Sequence, residues 1–348
     1  MQKELWSVVL IIALLGFGIS THEAEAQAKK VEDFYKGATI RFIIPYGAGG
    51  SRDKWARTLA PFLEKNTGAK VVLENMAGGS ALRGVDYLYS TAKPDGLTII
   101  IAGMAGVMLA NVLELPEAAK SSIEKLNFLG RLDVNERAVF ASRASNFKSI
   151  TDMQKSAKPI LFTSTGGTAD SAVDSTLVSE AFGLNAKIFA GSKGSAEDLL
   201  ILAAGKANAK SSSFSADYRE EVLKGNLNLI LFLGKKRNPE FADVPLALEA
   251  PGIKPGGRKY LELSTDLAEV GQMILTSPGV AEEKILFLEK ALAASLREPG
   301  LLDWAKKDDV QISYLSGKDC KELIVKMQRL VPQAERAELK NVVFKKYY

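Results

Sequence analysis

Residues 39–59 read TIRFIIPYGAGGSRDKWARTL: an apolar run ending in proline and tyrosine, a break on three glycines, then a charged amphipathic stretch. The first six residues have the β-branched and aromatic character of a strand. Beyond the glycines, Trp55, Leu59, Phe62 and Leu63 recur at the i, i+4, i+7 and i+8 spacing of a buried helical face. A strand therefore feeds a helix through a loop of small residues, and Pro61 inside the helical pattern predicts a bend or early stop. A phosphate loop would need lysine followed by serine or threonine after the last glycine, and a dinucleotide fingerprint needs G-x-G-x-x-G; this loop has neither. What remains is a helix start whose unpaired backbone N–H groups lie at the positive end of the helix dipole, suited to a small anion.

The same construction recurs. GLTIIIAGMAGVM (96–108), PILFTSTGGTAD (159–170), AKIFAGSKGSAED (186–198), NLILFLGKKRNP (228–239) and GQMILTSPGVAEEKI (271–285) each run from an apolar β-rich stretch into a small-residue loop. Strands alternating with helices predict parallel sheets covered on both faces, with ligands beyond the carboxyl ends of the strands. In the loop at 164–172, Thr168 or Asp170 is placed to cap the next helix. In the loop at 191–198, Ser195 is the expected cap, with Glu197 and Asp198 in the first turn.

Two breaks interrupt the repeat. NFLGRLDVNERAVFASRAS (127–145) reads as two extended pieces around a polar middle, and LEAPGIKPGGRKY (248–260) is rich in glycine and proline. The chain is expected to leave one domain near 135, build a second and return near 255. This gives a signal peptide at 1–26, a discontinuous first domain of 27–135 plus 256–348, and a second domain of 136–255. Two crossings make a natural hinge.

The signal peptide is read from Lys3, the apolar run Val8–Ile19 and the small-x-small site Ala24-Glu25-Ala26; the run is shorter than the roughly 20 residues of a membrane span. Cleavage near Ala26 sends the protein to the periplasm. It removes a net charge of −2, so the +4 of the full chain becomes +6, a mild basicity that favours small anions; no basic block with interleaved aromatics points to nucleic acid. The sole histidine, His22, leaves with the signal. Serine–histidine and cysteine–histidine catalysis and histidine metal sites are therefore excluded from the mature chain. Cys320 is the single cysteine, expected to pack within or against a C-terminal helix.

The stretch IRFIIPYGAGGSRDKWARTLAPFLEKNTGAKVVLENMAGGSALRGVDYLYSTAKPDGLTIIIAG (40–103), with the Lys193-Gly194-Ser195 loop, FADVPLALEAPG and SPGVAEEKI, resembles the substrate-binding receptors of tripartite tricarboxylate transporters, the Bug family. The resemblance covers essentially the whole mature chain. It implies an α/β, bilobal periplasmic binding-protein fold of type II-like organisation, two βα domains joined by a two-segment hinge, closing on a small carboxylate held largely by backbone amides. Carried over, the first-domain site comprises Tyr46, Ala48, Gly50, Ser51 and Asp53, with Asp53 organising the loop because two carboxylates repel. The second-domain site comprises Gly167, Thr168 and Ser171, with Lys193, Gly194 and Ser195 beside them. Ser212 stands where relatives often have aspartate, and Met104, in a loop that is polar in relatives, suggests a ligand with one carboxylate and an apolar body; two core methionines are the alternative.

The expected function is thus a non-enzymatic, monomeric periplasmic receptor that captures a small organic anion, a mono- or dicarboxylate, and delivers it to membrane permease subunits. It needs no cofactor or metal and binds no nucleic acid. The alternatives are a ligand-binding sensor docking on a membrane receptor and a histidine-free enzyme on the same fold. Arg52 is the position whose orientation separates an anchor in the cleft from an outer helix surface.

Overall fold

A computed structural model describes residues 26–348, apart from 79–80, 117, 119–121, 135 and 309. The apolar core of the signal-peptide reading lies outside the described residues. The helices are α1 (26–35), α2 (Ser51–Thr67), α3 (Leu82–Ser90), α4 (Met104–Val112), α5 (Ile150–Gln154), α6 (Asp170–Phe182), α7 (Ser195–Ala203), α8 (Ala216–Leu223), α9 (Arg258–Ala268), α10 (Glu282–Ser295), α11 (Pro299–Lys307), α12 (Gly317–Arg329) and α13 (Arg336–Phe344). Strands β1 (Thr39–Ile44), β2 (Lys70–Asn75), β3 (Thr98–Gly103), β4 (Asn127–Asp133), β10 (Gln272–Thr276) and β11 (Ile312–Ser316) form one sheet in the order β11-β4-β10-β3-β1-β2. Strands β5 (Arg137–Ser142), β6 (Ile160–Ser164), β7 (Ala186–Ala190), β8 (Ala209–Ser213) and β9 (Leu227–Phe232) form the other, in the order β7-β6-β8-β5-β9.

Without the edge strand β11, the two sheets share one plan. In each, the first strand sits between the second and third in parallel register. One antiparallel strand, β10 or β5, is then inserted before the fourth. The sheets are therefore mixed, where purely parallel ones were expected. The reason is topological: β5 and β10 enter straight from a crossing between lobes, without a helical crossover to restore their direction.

The helix after the first glycine loop forms as its spacing predicts. Trp55, Leu59 and Leu63 are buried, and the Trp55 ring meets Trp304 edge-on at 4.9 Å. Pro61 does not break α2, which continues to Thr67 and stops on Gly68 at φ +72°. Because Pro61 lies on the exposed side, its cost is confined to the missing N–H.

The segment at 269–271, which leads from α9 into β10, lies against the end of β4. Arg131 Nη1 donates to the Glu269 carbonyl at 2.7 Å and Gln272 Nε2 to Asp133 Oδ2 at 3.1 Å. Gly271, at φ +68°, lies so close to the Asp133 carbonyl that a Cβ would collide with it. Helix α9, which follows the return expected near 255, packs on α6, and Ser264 Oγ donates to Asp174 Oδ1 at 2.9 Å.

The C-terminus reaches α6 and β7. Helix α13 packs on α6, Ile188 N–H donates to the Tyr347 carbonyl, and Lys346 Nζ and Tyr347 OH reach Glu180 at 2.6 and 2.7 Å. Burial pushes the Glu180 carboxyl up, but hydrogen bonds from Lys254, Lys346 and Tyr347 outweigh it and hold it down at about 2.

Cys320 is fully buried in α12 and its thiol donates weakly to the Leu315 carbonyl at 3.7 Å. Burial pushes it up to about 12. A buried thiol that stays protonated is a poor nucleophile, so Cys320 in the native protein should resist a thiol reagent at neutral pH and react at once in denaturant. Rapid native labelling, read by mass, would contradict the packing.

Candidate ligand site

The first-lobe loop is braced from behind. Asp53 is buried and accepts from Gly49 N–H at 2.9 Å, Arg57 Nε and Nη2 at 2.8 and 3.0 Å, and Asn75 Nδ2 at 2.9 Å. Burial raises its pKa, but these bonds outweigh it and hold the carboxyl below the usual range. Gly50 is the N-cap of α2 and makes no side-chain cap bond, which leaves the first amides of the helix facing the other lobe.

Across the cleft, helix starts meet in two pairs. In the first, α2 faces α7: Ser51 N–H donates to Ser195 Oγ at 3.2 Å, and next to it Gly47 N–H donates to the Lys193 carbonyl at 2.8 Å. Ser195 is the first residue of α7 and Gly194 its N-cap, so the hydroxyl expected to cap its own helix serves the opposite one. Glu197 instead turns back to accept Lys193 N–H at 2.7 Å.

In the second pair, α4 faces α6. Asp170 is the first residue of α6, after an N-cap at Ala169. Its carboxylate crosses the cleft, accepting Gly106 N–H at 2.9 Å and Arg52 Nη2 at 2.9 Å. Arg52 lies over the Tyr46 ring at 4.5 Å. Gly103 and Gly106 permit this approach, because a Cβ at Gly103 would strike the Arg52–Asp170 pair and one at Gly106 the Thr168 carbonyl. Lys54 with Asp217 at 2.6 Å adds an outer ion pair.

Between the pairs lies a cavity of about 50 Å³, partly open to solvent. Of the residues expected in the site, it brings together Tyr46, Gly50, Ser51, Ser171, Gly194, Ser195 and Ser212. The others lie elsewhere. Asp53 braces the loop, Ala48 is exposed at its tip, and Lys193 contributes its backbone carbonyl to the interlobe contact. Gly167 offers its carbonyl to Tyr348 OH at 3.1 Å, and the Thr168 carbonyl packs against Gly106. Met104 and Met108 are fully buried in the core, because α4 is enclosed on nearly every face. The apolar wall expected from Met104 is therefore absent from the cavity lining.

The charged lining goes beyond Lys193 and Arg52, the two cations that the sequence singled out. Arg52, Arg137 and Lys210 line the cavity together with Asp170 and Asp198, and Asp174 pairs with Arg137 from behind the lining. Lys210 Nζ meets Asp198 Oδ2 at 2.6 Å, both side chains almost fully buried, and Thr163 Oγ1 donates to the other Asp198 oxygen at 2.7 Å. Arg52 faces the cleft, which answers the question of its orientation.

Residues 55–333 match the model of the tripartite tricarboxylate transporter family receptor. The chain belongs to that family. Protein BugT of Bordetella pertussis is 30% identical over 116 residues, 33% of this chain and 35% of BugT; the chain thus aligns with about a third of that relative. A Cupriavidus necator protein named for its position in the gbd 5′ region is 25% identical over 313 residues, 88% of each chain. Among solved structures, the periplasmic binding protein BugD superposes with a TM-score of 0.71 at 22% identity, covering 88% of this chain and 98% of BugD. MatC of Rhodopseudomonas palustris, solved with bound malate, gives 0.68 at 18% identity, covering 88% and 99%. The bilobal periplasmic binding-protein fold of this receptor is thereby established.

Proposed function

We propose that this receptor captures a small carboxylate between its lobes in the periplasm and, as a monomer, presents it to the membrane subunits of a tripartite tricarboxylate-type transporter. The observation that carries the reading is the α2–α7 pair. Two helix N-termini face each other across the cavity, bridged by a hydroxyl where the neighbouring α4–α6 pair is bridged by the Asp170 carboxylate. Two positive helix ends favour an anion between them. The hydroxyls of Ser51, Ser171, Ser195 and Ser212 favour a ligand that is polar along its length. Malate in MatC supports the same class.

The reading is tested by thermal unfolding with C3–C6 mono- and dicarboxylates, beginning with malate, against the corresponding neutral amides. A site-filling acid at a hundred times its dissociation constant should stabilise the protein by about 2.7 kcal/mol, while the amides have little effect. Stabilisation by neutral or cationic solutes but by no acid would overturn the reading.

A further inference from the structure

Arg137 opens β5, the first residue of the second sheet after the chain crosses from the first, and pairs in register with Ser213 of β8. Its side chain is 9% exposed, yet the residue lines the cavity. Its hydrogen bonds account for one edge of the guanidinium. Nε donates to Asp174, which lies behind it and is held in turn by Ser264 of α9. Nη1 stands 4.0 Å from Asp170 Oδ2, and Nη2, although buried, has no hydrogen-bond partner among the described residues. Of the other two cations of the lining, Lys210 is committed to Asp198, and Arg52 to Asp170 and the Tyr46 ring, with only its inner Nε left unpaired.

We propose that Arg137 is the charged anchor of the ligand, receiving a carboxylate oxygen through Nη2, with Asp174 and Ser264 as positioning residues that fix the guanidinium plane. A guanidinium stays charged and presents donors in a rigid plane that matches a carboxylate. A buried cation with an unmade hydrogen bond is unfavourable until an acceptor arrives. The anchor would supplement the backbone amides with a side-chain charge from the second lobe, next to the crossing segments. A ligand spanning both would hold the lobes together through α2 on one side and β5 on the other.

This inference rests on the carboxylate reading of the cleft, and the test keeps the two apart. Calorimetry is run with malate, succinate and glutarate and with the monoamide of each, on the wild type, Arg137→Gln and Arg137→Lys. The preference of the tightest acid over its monoamides should collapse in Arg137→Gln, with acid affinity falling about 100-fold; Arg137→Lys, which keeps the charge but loses the planar fork, should fall between. Since Arg137→Gln strands Asp174, the double variant Arg137→Gln/Asp174→Asn carries the same measurement in a lobe without the buried charge. An Arg137→Gln or double variant that binds the acid as tightly as wild type, with undiminished preference over the amide, overturns the anchor and leaves the carboxylate function standing. If no acid binds the wild type, both fall.

Discussion

Gly106→Ala should leave the protein folded, and at least as stable to heat, while reducing its affinity for the captured acid about 100-fold. The two effects have opposite signs because they arise in different places. Within α4, alanine is a better helix residue than glycine by about 1 kcal/mol, and Gly106 has no need of a left-handed backbone. Across the cleft, the new methyl would land on the Thr168 carbonyl oxygen. That atom is backbone at the start of α6 and cannot swing aside like a flexible side chain. The lobes must then separate, breaking the Gly106 N–H bond to Asp170 and loosening the Arg52–Asp170 pair. A hundredfold loss is about 2.7 kcal/mol, within the 1–3 kcal/mol of overpacking a close contact. Gly50→Ala is the control on the same cleft: its Cβ would meet Ser195 Oγ at 3.4 Å, an ordinary contact, and should change affinity by less than about tenfold. Calorimetry with the tightest acid, beside thermal melts, reads both. A Gly106→Ala protein that binds as tightly as wild type would mean that the interlobe contact is not part of the bound state.

The alternation of β-rich runs, glycine loops and helical spacing made the two-lobe α/β plan readable, because periodicity changes where the chain turns. Strand direction leaves no such mark. GQMILTSPGVAEEKI looks like every other strand-loop-helix unit, yet β10 is antiparallel. Close contacts are as poorly marked: glycine and proline near 255 signal a turn, whereas at Gly271 a single glycine lets two segments touch. In the site, the bracing role of Asp53 was legible, because a carboxylate at the start of a helix after a glycine loop has backbone N–H groups close by. The cations on β5 and β8 were not. Arg137 heads the apolar run RAVFAS and Lys210 sits among small residues in ANAKSSSF; neither spacing shows that both strands end at one cavity. A signal was present, since a charged residue inside a run otherwise fit for burial needs a partner. The methionines misled because enclosure of α4 depends on elements far away in sequence.

The buried pair on the cavity floor should respond most strongly to removal of one partner. Lys210 and Asp198 are 2% and 1% exposed at their side chains and meet at 2.6 Å. Burial pulls the Lys210 pKa down against the opposing pull of Asp198, so the pair is held by geometry against a desolvation cost. Lys210→Met keeps the length of the side chain but leaves a buried carboxylate with Thr163 as its remaining side-chain partner. Breaking such a pair costs about 3–5 kcal/mol, or roughly 6–20 °C of melting temperature for a lobe of ordinary size. Replacing both charges is a different operation. In Lys210→Met/Asp198→Leu nothing charged is left stranded, and exchanging a buried ion pair for apolar groups is often neutral or stabilising, so the double variant should recover most of the lost stability. It should not recover affinity, because both residues line the cavity and the exchange makes its floor apolar. A single variant as stable as wild type would show that water reaches Asp198. A double variant no more stable than the single one would show that Thr163 and the first turn of α7 depend on the carboxylate itself, and that the pair is there to position the helix start facing Ser51.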